Sequence, residues 1–449
     1  MINKKGIIFF LIFFLTSHCS FDNKTGIWGD AKKEKRRISE LEKQQKKIIE
    51  VEKIYSSESI HNEEKILSEN ITISKAKKNS SWTMSGLNHQ NLLGNIYLSG
   101  VDNIFLKKKI GKDKFEMHKF MSPLLAHDNN LIFSDDKGTI FNVNEFGKIN
   151  WKKNIYKKIY KRIYKNLIIS IYNNNIYIAD NIGFIYAINL DNGKLSWIKN
   201  YGIPVKSNIK IFKDKIFLID QNNKIFSLDT KDGSLLWDVL SISSFIKSQN
   251  LLPLAVSKSG DLFVITSAAD IYKIQGETGK VIWSRNAAGS LYANATDFFN
   301  SSEIVLSEEQ IIFSTGTSLF SYNKNTGNSI WKNDVSSIDA PIIDGKNIFI
   351  VTSNGYLVIL DKETGKIISS SNILNILKKK KKNTKITNFI MGSDKIYSIT
   401  LNGYMIVSSA RSGKPEFYKK IGGSNISPVI INNGKLYVLI EGSKIIGFK

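Results

Sequence analysis

Residues 183–197 read GFIYAINLDNGKLSW. Phe184, Tyr186, Ile188 and Leu190 point opposite to Ile185 and Ala187, the period of two that a strand imposes. A turn follows, ending at Gly193, and a second short strand carries Trp197 four residues later. The same arrangement recurs as GTIFNVNEFGKINW ending at Trp151, NKIFSLDTKDGSLLW at Trp237, ADIYKIQGETGKVIW at Trp283 and TSLFSYNKNTGNSIW at Trp331. Two weaker copies place Ser369 and Phe417 where the tryptophan is expected. The turn glycines are Gly147, Gly193, Gly233, Gly279, Gly327, Gly365 and Gly413, spaced by about 44 residues on average, the period of a four-stranded propeller blade. A leucine-rich repeat is too short for this spacing, and helical repeats of similar length lack the alternation.

Each part of the repeat has a physical role. Glycine at the turn allows a positive φ at no steric cost. Tryptophan on the outer strand offers a broad ring to wedge between neighbouring blades, so these residues are read as architecture rather than as ligand-stacking groups. Ser122-Pro123-Leu124-Leu125 and Ala340-Pro341-Ile342-Ile343 mark innermost strands, where a leading proline costs no ladder bond. Seven copies leave a remainder. The C-terminal stretch from Ser427 supplies three strands, and Asn103–Leu106 can supply the fourth. The expected fold is an all-β, eight-bladed propeller of four-stranded antiparallel blades closed from both chain ends, which removes exposed sheet edges; seven blades is the alternative if the ends do not combine.

The chain has 449 residues and a net charge of +23, with 42% hydrophobic residues, enough for a large core. Lys, Asn and Ile are heavily used, as an AT-rich coding sequence would give, so the charge is weak evidence for an anionic partner and nucleic acid is not expected. One cysteine rules out an intramolecular disulfide and a Cys-rich metal site, and five histidines leave little for a His-based one. No Ser-His-Asp, zinc-binding or phosphate-loop arrangement stands out.

Lys4 and Lys5 precede the unbroken apolar run Gly6–Leu15, too short to span a bilayer but suited to an export signal. The sole cysteine, Cys19, follows in Leu15-Thr16-Ser17-His18-Cys19, which resembles a bacterial lipoprotein cleavage site. The leucine is one place early and His18 is bulky for such a site. The alternative is ordinary secretion with an incidental cysteine. The expected organisation is a signal peptide over 1–18, a lipid-anchored, charged and partly helical tether over 19–80, and the propeller over 81–449. Two basic stretches stand apart. Lys378–Lys382 reads as a solvated loop. Lys152–Lys165, with its repeated Ile-Tyr, reads as a connection between blades, the sharper alternative being a phospholipid-facing surface.

The exported N-terminus, the repeated Gly-x-x-x-Trp and the eight-blade count resemble the BamB-like family of outer-membrane protein assembly lipoproteins, within the quinoprotein-like (PQQ-like) propellers. Ser81-Trp82-Thr83-Met84-Ser85-Gly86-Leu87-Asn88-His89 resembles the opening of alphaproteobacterial members, and the likeness covers residues 81–449. The resemblance implies a non-enzymatic scaffold without a cofactor, held on the periplasmic face of the outer membrane. It would bind the POTRA domains of BamA, together with other lipoproteins of the complex, and help unfolded outer-membrane proteins insert. It also implies partner-binding residues in two connections between blades: Phe245, Ile246 and Lys247 before Pro253, and Asp297 in the next connection. The competing reading of Phe245 and Ile246 is packing between blades. Two rival functions remain on sequence. One is a quinone-dependent dehydrogenase, which would need a carboxylate-rich calcium site and commonly an adjacent cysteine pair. The other is a cell-surface propeller that binds polysaccharide.

Overall fold

The computed structural model describes residues 20–21, 28–29, 35–41, 43, 61–111, 124–160, 162–241, 247–248, 250–288, 300–381, 384–423, 426–440 and 442–449. Eight antiparallel sheets form a ring. Blades 1 to 7 run in chain order from Leu125 to Lys153, Leu167 to Asn200, Lys210 to Leu240, Leu254 to Asn286, Val305 to Asn333, Ile342 to Asn372 and Ile386 to Lys420. Blade 8 joins three C-terminal strands, from Ile430 to Phe448, to Ile104–Lys109 as the outer strand. The closing pairs include Ile446 with Lys107 and Gly447 with Leu106. The ring is therefore sealed by hydrogen bonds between the two ends of the chain, as the missing fourth strand of the last repeat required.

The repeat motif acts locally in the same way in each blade. In blade 2 the Asn189 carboxamide accepts the N–H groups of Asp191 and Asn192, which curls the chain into a turn, and Gly193 then takes φ +67°. The pairing of third and outer strands slips by one residue at Ala187/Ile188, just beside Trp197, and a slip occurs at the equivalent place in every blade. This bulge turns the outer strand so that its aromatic ring faces the following blade. Between the blades lie stacked apolar side chains, among them Phe133, Phe217, Phe263, Phe313 and Phe349, all buried.

The stretch from 61 to 99 was not legible as a unit. Residues 61–80, given to the tether on composition, lie on the propeller. Lys65 and Ser370 exchange backbone hydrogen bonds of 2.9 and 3.0 Å, so the chain runs antiparallel beside the outer strand of blade 6. Ile71 and Ile73 are buried against blades 6 and 7. The Ser74 backbone N–H then donates to the Asp344 carboxylate at 2.7 Å, at the end of blade 6's inner strand. From Ser81 the chain makes one circuit of the ring. Ser81 and Trp82 pair with the inner strand of blade 1. The Thr83 carbonyl accepts from Ile171 in blade 2, Ser85 from Lys210 in blade 3, His89 from Val256 in blade 4 and Gln90 from Leu306 in blade 5. Gly94 passes the carbonyl of Ile343 in blade 6, Ile96 accepts from Ser393 in blade 7, and Ser99 donates to Gly434 in blade 8. These contacts cluster where inner strands turn into second strands or close beside that turn. One mouth of the axial channel is thus lined by the chain's own N-terminal segment. Nearer the start, Ile38 is buried, and the Arg37 guanidinium donates to the carbonyls of Ile182 and Gly202 on blade 2 and its exit.

The basic stretch after Trp151 turns its apolar side inward and leaves Lys152, Lys158 and Arg162 exposed. Ile155, Tyr160 and Ile163 are buried, and the Tyr156 hydroxyl donates to Asp180 at 2.5 Å. Asp180 is fully buried and also accepts the N–H groups of Ile182, Gly183 and Phe184. Lys165 lies over the Tyr156 ring, and burial brings its ammonium down to about 8. Of the other basic run, Lys378–Lys381 ends a 3-10 segment over Ile373–Lys381 that is broken at Lys378, where φ is +50°. Leu374 and Leu377 of that segment are buried, while Lys378 and Lys379 are exposed.

Candidate functional site: the connection face and the axial channel

Two faces of a propeller carry its loops. On one, inner strands turn into second strands; on the other lie the connections from each outer strand to the next blade. The residues expected to bind a partner belong to the connections after blades 3 and 4. Phe245, Ile246 and Asp297 lie outside the described residues, as does Cys19. Lys247 is exposed, and its ammonium donates to the Asn222 carboxamide in the turn of blade 3. The described ends of the two connections are laced together. Asn250 donates to Asn300 at 2.6 Å, and the Glu303 carboxylate accepts from the Leu254 backbone at 3.1 Å and from Asn208 at 2.5 Å. Glu303 thereby ties the entries of blades 3, 4 and 5, and the two connections singled out on sequence emerge side by side.

The structure also assembles an axial group that the repeat did not announce. Lys210, on the inner strand of blade 3, is fully buried. Its ammonium donates to the Ser85 carbonyl at 2.6 Å, the Asn91 carboxamide at 2.5 Å and the Asn88 carbonyl at 3.2 Å, all in the circling segment. Burial lowers it to about 8, and Glu303 partly offsets this. Burial raises the Glu303 carboxyl, with Lys210 opposing. Asp339, at the entry to blade 6, is pushed up to about 6 by burial, with Glu303 as a like-charged neighbour. The one sequence cue was Lys210 itself, a lysine flanked by Ile209 and Ile211 at the start of an inner strand.

These residues do not suit a quinone and calcium centre. Both Glu303 oxygens are engaged by N–H donors, and the charge in its reach is the Lys210 ammonium. Among the described residues no three His, Cys, Asp or Glu side chains converge on a point that could hold a metal ion.

The blade motif residues sit where neighbouring blades meet. The indoles of Trp151, Trp197, Trp237, Trp283 and Trp331 lie against Gly193, Gly233, Gly279, Gly327 and Gly365 of the following blade. Four of them donate to a carbonyl there at 2.9 Å: Trp151 to Leu190, Trp197 to Thr230, Trp237 to Gly276 and Trp331 to Lys362. Gly147 of blade 1 meets Leu106 of blade 8 at the closure.

Fold and motif together define a quinoprotein-like β-propeller whose repeats are held by inter-blade tryptophans. The sequence profile of the family described as outer membrane protein assembly factor BamB matches residues 108–239 and 136–371, and the chain belongs to that family. The assembly factor BamB of Moranella endobia is 21% identical over 299 residues, covering 61% of this chain and 72% of that protein. The chain spans about half the length of three further relatives of the same name, from Yersinia pestis (52%), Shewanella oneidensis (44%) and Legionella pneumophila (44%). The crystal structure of BamB from Moraxella catarrhalis superposes with a TM-score of 0.58 at 13% identity, over 76% of this chain and 99% of that one. Quinohemoprotein alcohol dehydrogenase from Comamonas testosteroni gives 0.62 at 9% identity, over 81% and 77%. These structures share the fold, which serves assembly factors and dehydrogenases alike.

Proposed function

We propose that this protein is a non-enzymatic scaffold of the outer-membrane β-barrel assembly machinery, which grips the POTRA domains of a BamA homologue through the connections after blades 3 and 4. The observation that carries this reading is the family match over 108–371, which runs through the two connections laced by Asn250 and Asn300. Phe245 and Ile246 are the proposed apolar contacts, with Lys247 and Asp297 as their charged flanks. A pair of apolar side chains beside a lysine has the composition of a small hot spot. Residues 1–18 are proposed as the export signal and Cys19 as the lipid anchor, placing the propeller on the periplasmic face of the outer membrane. The dehydrogenase reading is disfavoured by the Lys210-facing, fully engaged Glu303 and by the single cysteine of the chain.

The test is affinity capture of the protein from detergent-solubilised outer membranes. The expected result is co-purification of a BamA homologue, lost in Phe245→Asp/Ile246→Asp while circular dichroism and the melting temperature stay unchanged. Recovery of no such barrel protein by the wild type overturns the scaffold reading. Loss of folded structure in the variant assigns the two residues to packing between blades.

A further inference from the structure

The outer strands expose apolar residues all round the rim, Leu235, Leu240, Ile282 and Ile330 on blades 3 to 5 and Phe417, Ile104 and Ile149 on blades 7, 8 and 1. On blades 7, 8 and 1 they and the turns leading into them also expose a run of lysines: Lys414 on blade 7, Lys107, Lys108 and Lys109 on blade 8, and Lys148 and Lys152 on blade 1. None of these six ammonium groups has a hydrogen bond or ion pair with a described residue. Two acidic groups on the same blades are already engaged, Glu416 by Lys395 and Glu145 by Lys435, while the exposed Asp102 stands beside blade 8. The three blades form one surface, because Lys419 of blade 7 donates to the carbonyls of Val101 and Asp102 beside blade 8, and Gly147 of blade 1 abuts Leu106 and Lys108 of blade 8. Among these lysines the turn of blade 1 presents Phe146, 64% exposed.

We propose that this lysine sector is a docking surface for an anionic phospholipid bilayer. The chemistry favours lipid over an acidic protein. Protein interfaces are depleted in lysine at their cores and are anchored by arginines and aromatics seated in pockets. Here the cations are flexible, unpaired lysines spread over a rim, the form that sums many weak attractions to a field of phosphates. Phe146 at a turn tip, with Ile104, Ile149 and Phe417 exposed on the strands beside it, suits the headgroup boundary. Docked in this way, the ring stands on edge and blades 3 to 5 point away from the bilayer. The proposal does not depend on the BamA reading, since it is tested with lipid alone.

The experiment is co-sedimentation of the full chain with vesicles of 30% phosphatidylglycerol in phosphatidylcholine. Wild type is compared with Lys107→Glu/Lys108→Glu/Lys109→Glu and with Lys199→Glu/Lys231→Glu/Lys280→Glu, which makes the same charge change on exposed lysines of blades 2 to 4. The N-terminal apolar segment is common to all three proteins and cancels. The expected result is a loss of roughly tenfold or more in apparent vesicle affinity for the blade 8 variant, reproduced for wild type by raising the salt, and a change of about threefold or less for the control. Equal losses in both variants overturn the proposal, because net charge alone then suffices. Unchanged binding by the blade 8 variant also overturns it, leaving an acidic protein as the partner of this sector.

Discussion

The indole of Trp197 in blade 2 covers Gly233 in blade 3 so closely that a β-carbon on the glycine would sit 2.5 Å from Trp197 Cζ3. Gly233 also holds φ +70°, so two independent requirements exclude a side chain there. The five tryptophans make the same contact with the following blade, which converts a local turn motif into the joint of a ring. Gly233→Ala should therefore cost more than a positive-φ replacement alone, about 2–4 kcal/mol, because the indole must also move. Gly345, at φ +59° with open space around it, is the control: Gly345→Ala should cost about 1 kcal/mol. Urea denaturation of the two variants checks this, and equal losses would show that the tryptophan contact adds nothing.

The tryptophans are not equivalent. Trp197 and Trp237 donate their indole N–H to a carbonyl of the next blade, whereas the buried N–H of Trp283 finds no acceptor among the described residues. Replacing an indole by a benzyl ring removes a made bond at the first two sites and an unmade one at the third. Trp283→Phe should be milder than Trp237→Phe by about 1 kcal/mol. Thermal unfolding of both variants reads the difference, and the reverse order would refute the assignment.

The circling segment hangs on Lys210. Three oxygens from Ser85, Asn88 and Asn91 converge on one buried ammonium. Lys210→Met keeps the stem and leaves those acceptors unpaired in the interior, at a cost of about 3–5 kcal/mol. The effect should be local first. Hydrogen exchange of 81–99 should rise before that of the blades, and protease should cut there in the variant while sparing the wild type. Uniform protection in the variant would mean that the segment is held by its backbone contacts alone.

How far the sequence revealed this architecture depends on the range of the cause. Alternation, the turn glycines and the tryptophans are local, and they sufficed for eight blades and for closure through Asn103–Leu106. Residues 61–99 have no period, because 61–80 run along the outer strand of blade 6 and its junction with blade 7, while 81–99 follow the inner strands of eight blades in turn. The polar, lysine-rich composition of 61–80 resembles a tether, yet Ile71 and Ile73 are buried. The lysine sector was equally hidden. Lys107–Lys109 and Lys414 are far apart in the chain and come onto adjacent blades only when the ends close the ring. The axial carboxyls Glu303 and Asp339 sit in connections, where no repeat position marks them.

Asp339 gives the pH dependence of the fold a testable component. Its carboxyl is raised from the ordinary 3.8 to about 6, chiefly by burial and secondarily by Glu303. A raised carboxyl binds its proton more tightly in the folded state than in the unfolded one. Its favourable contribution is therefore complete below about pH 4 and is lost as pH climbs through about 6, where the folded protein must hold a charge it disfavours. Asp339→Asn removes that charge, and the carboxamide oxygen can still accept the Ala340 N–H, a bond of 2.8 Å in the parent. The variant should be more stable than the parent at pH 7.5, by on the order of 1–3 kcal/mol, and the advantage should shrink to nothing at pH 4. Urea midpoints at pH 4, 6 and 7.5 decide the matter, since contributions from all other groups cancel between the two proteins. A gap that stays constant across this range would mean that Asp339 titrates alike in folded and unfolded chains, and that the axial channel is as wet as the surface.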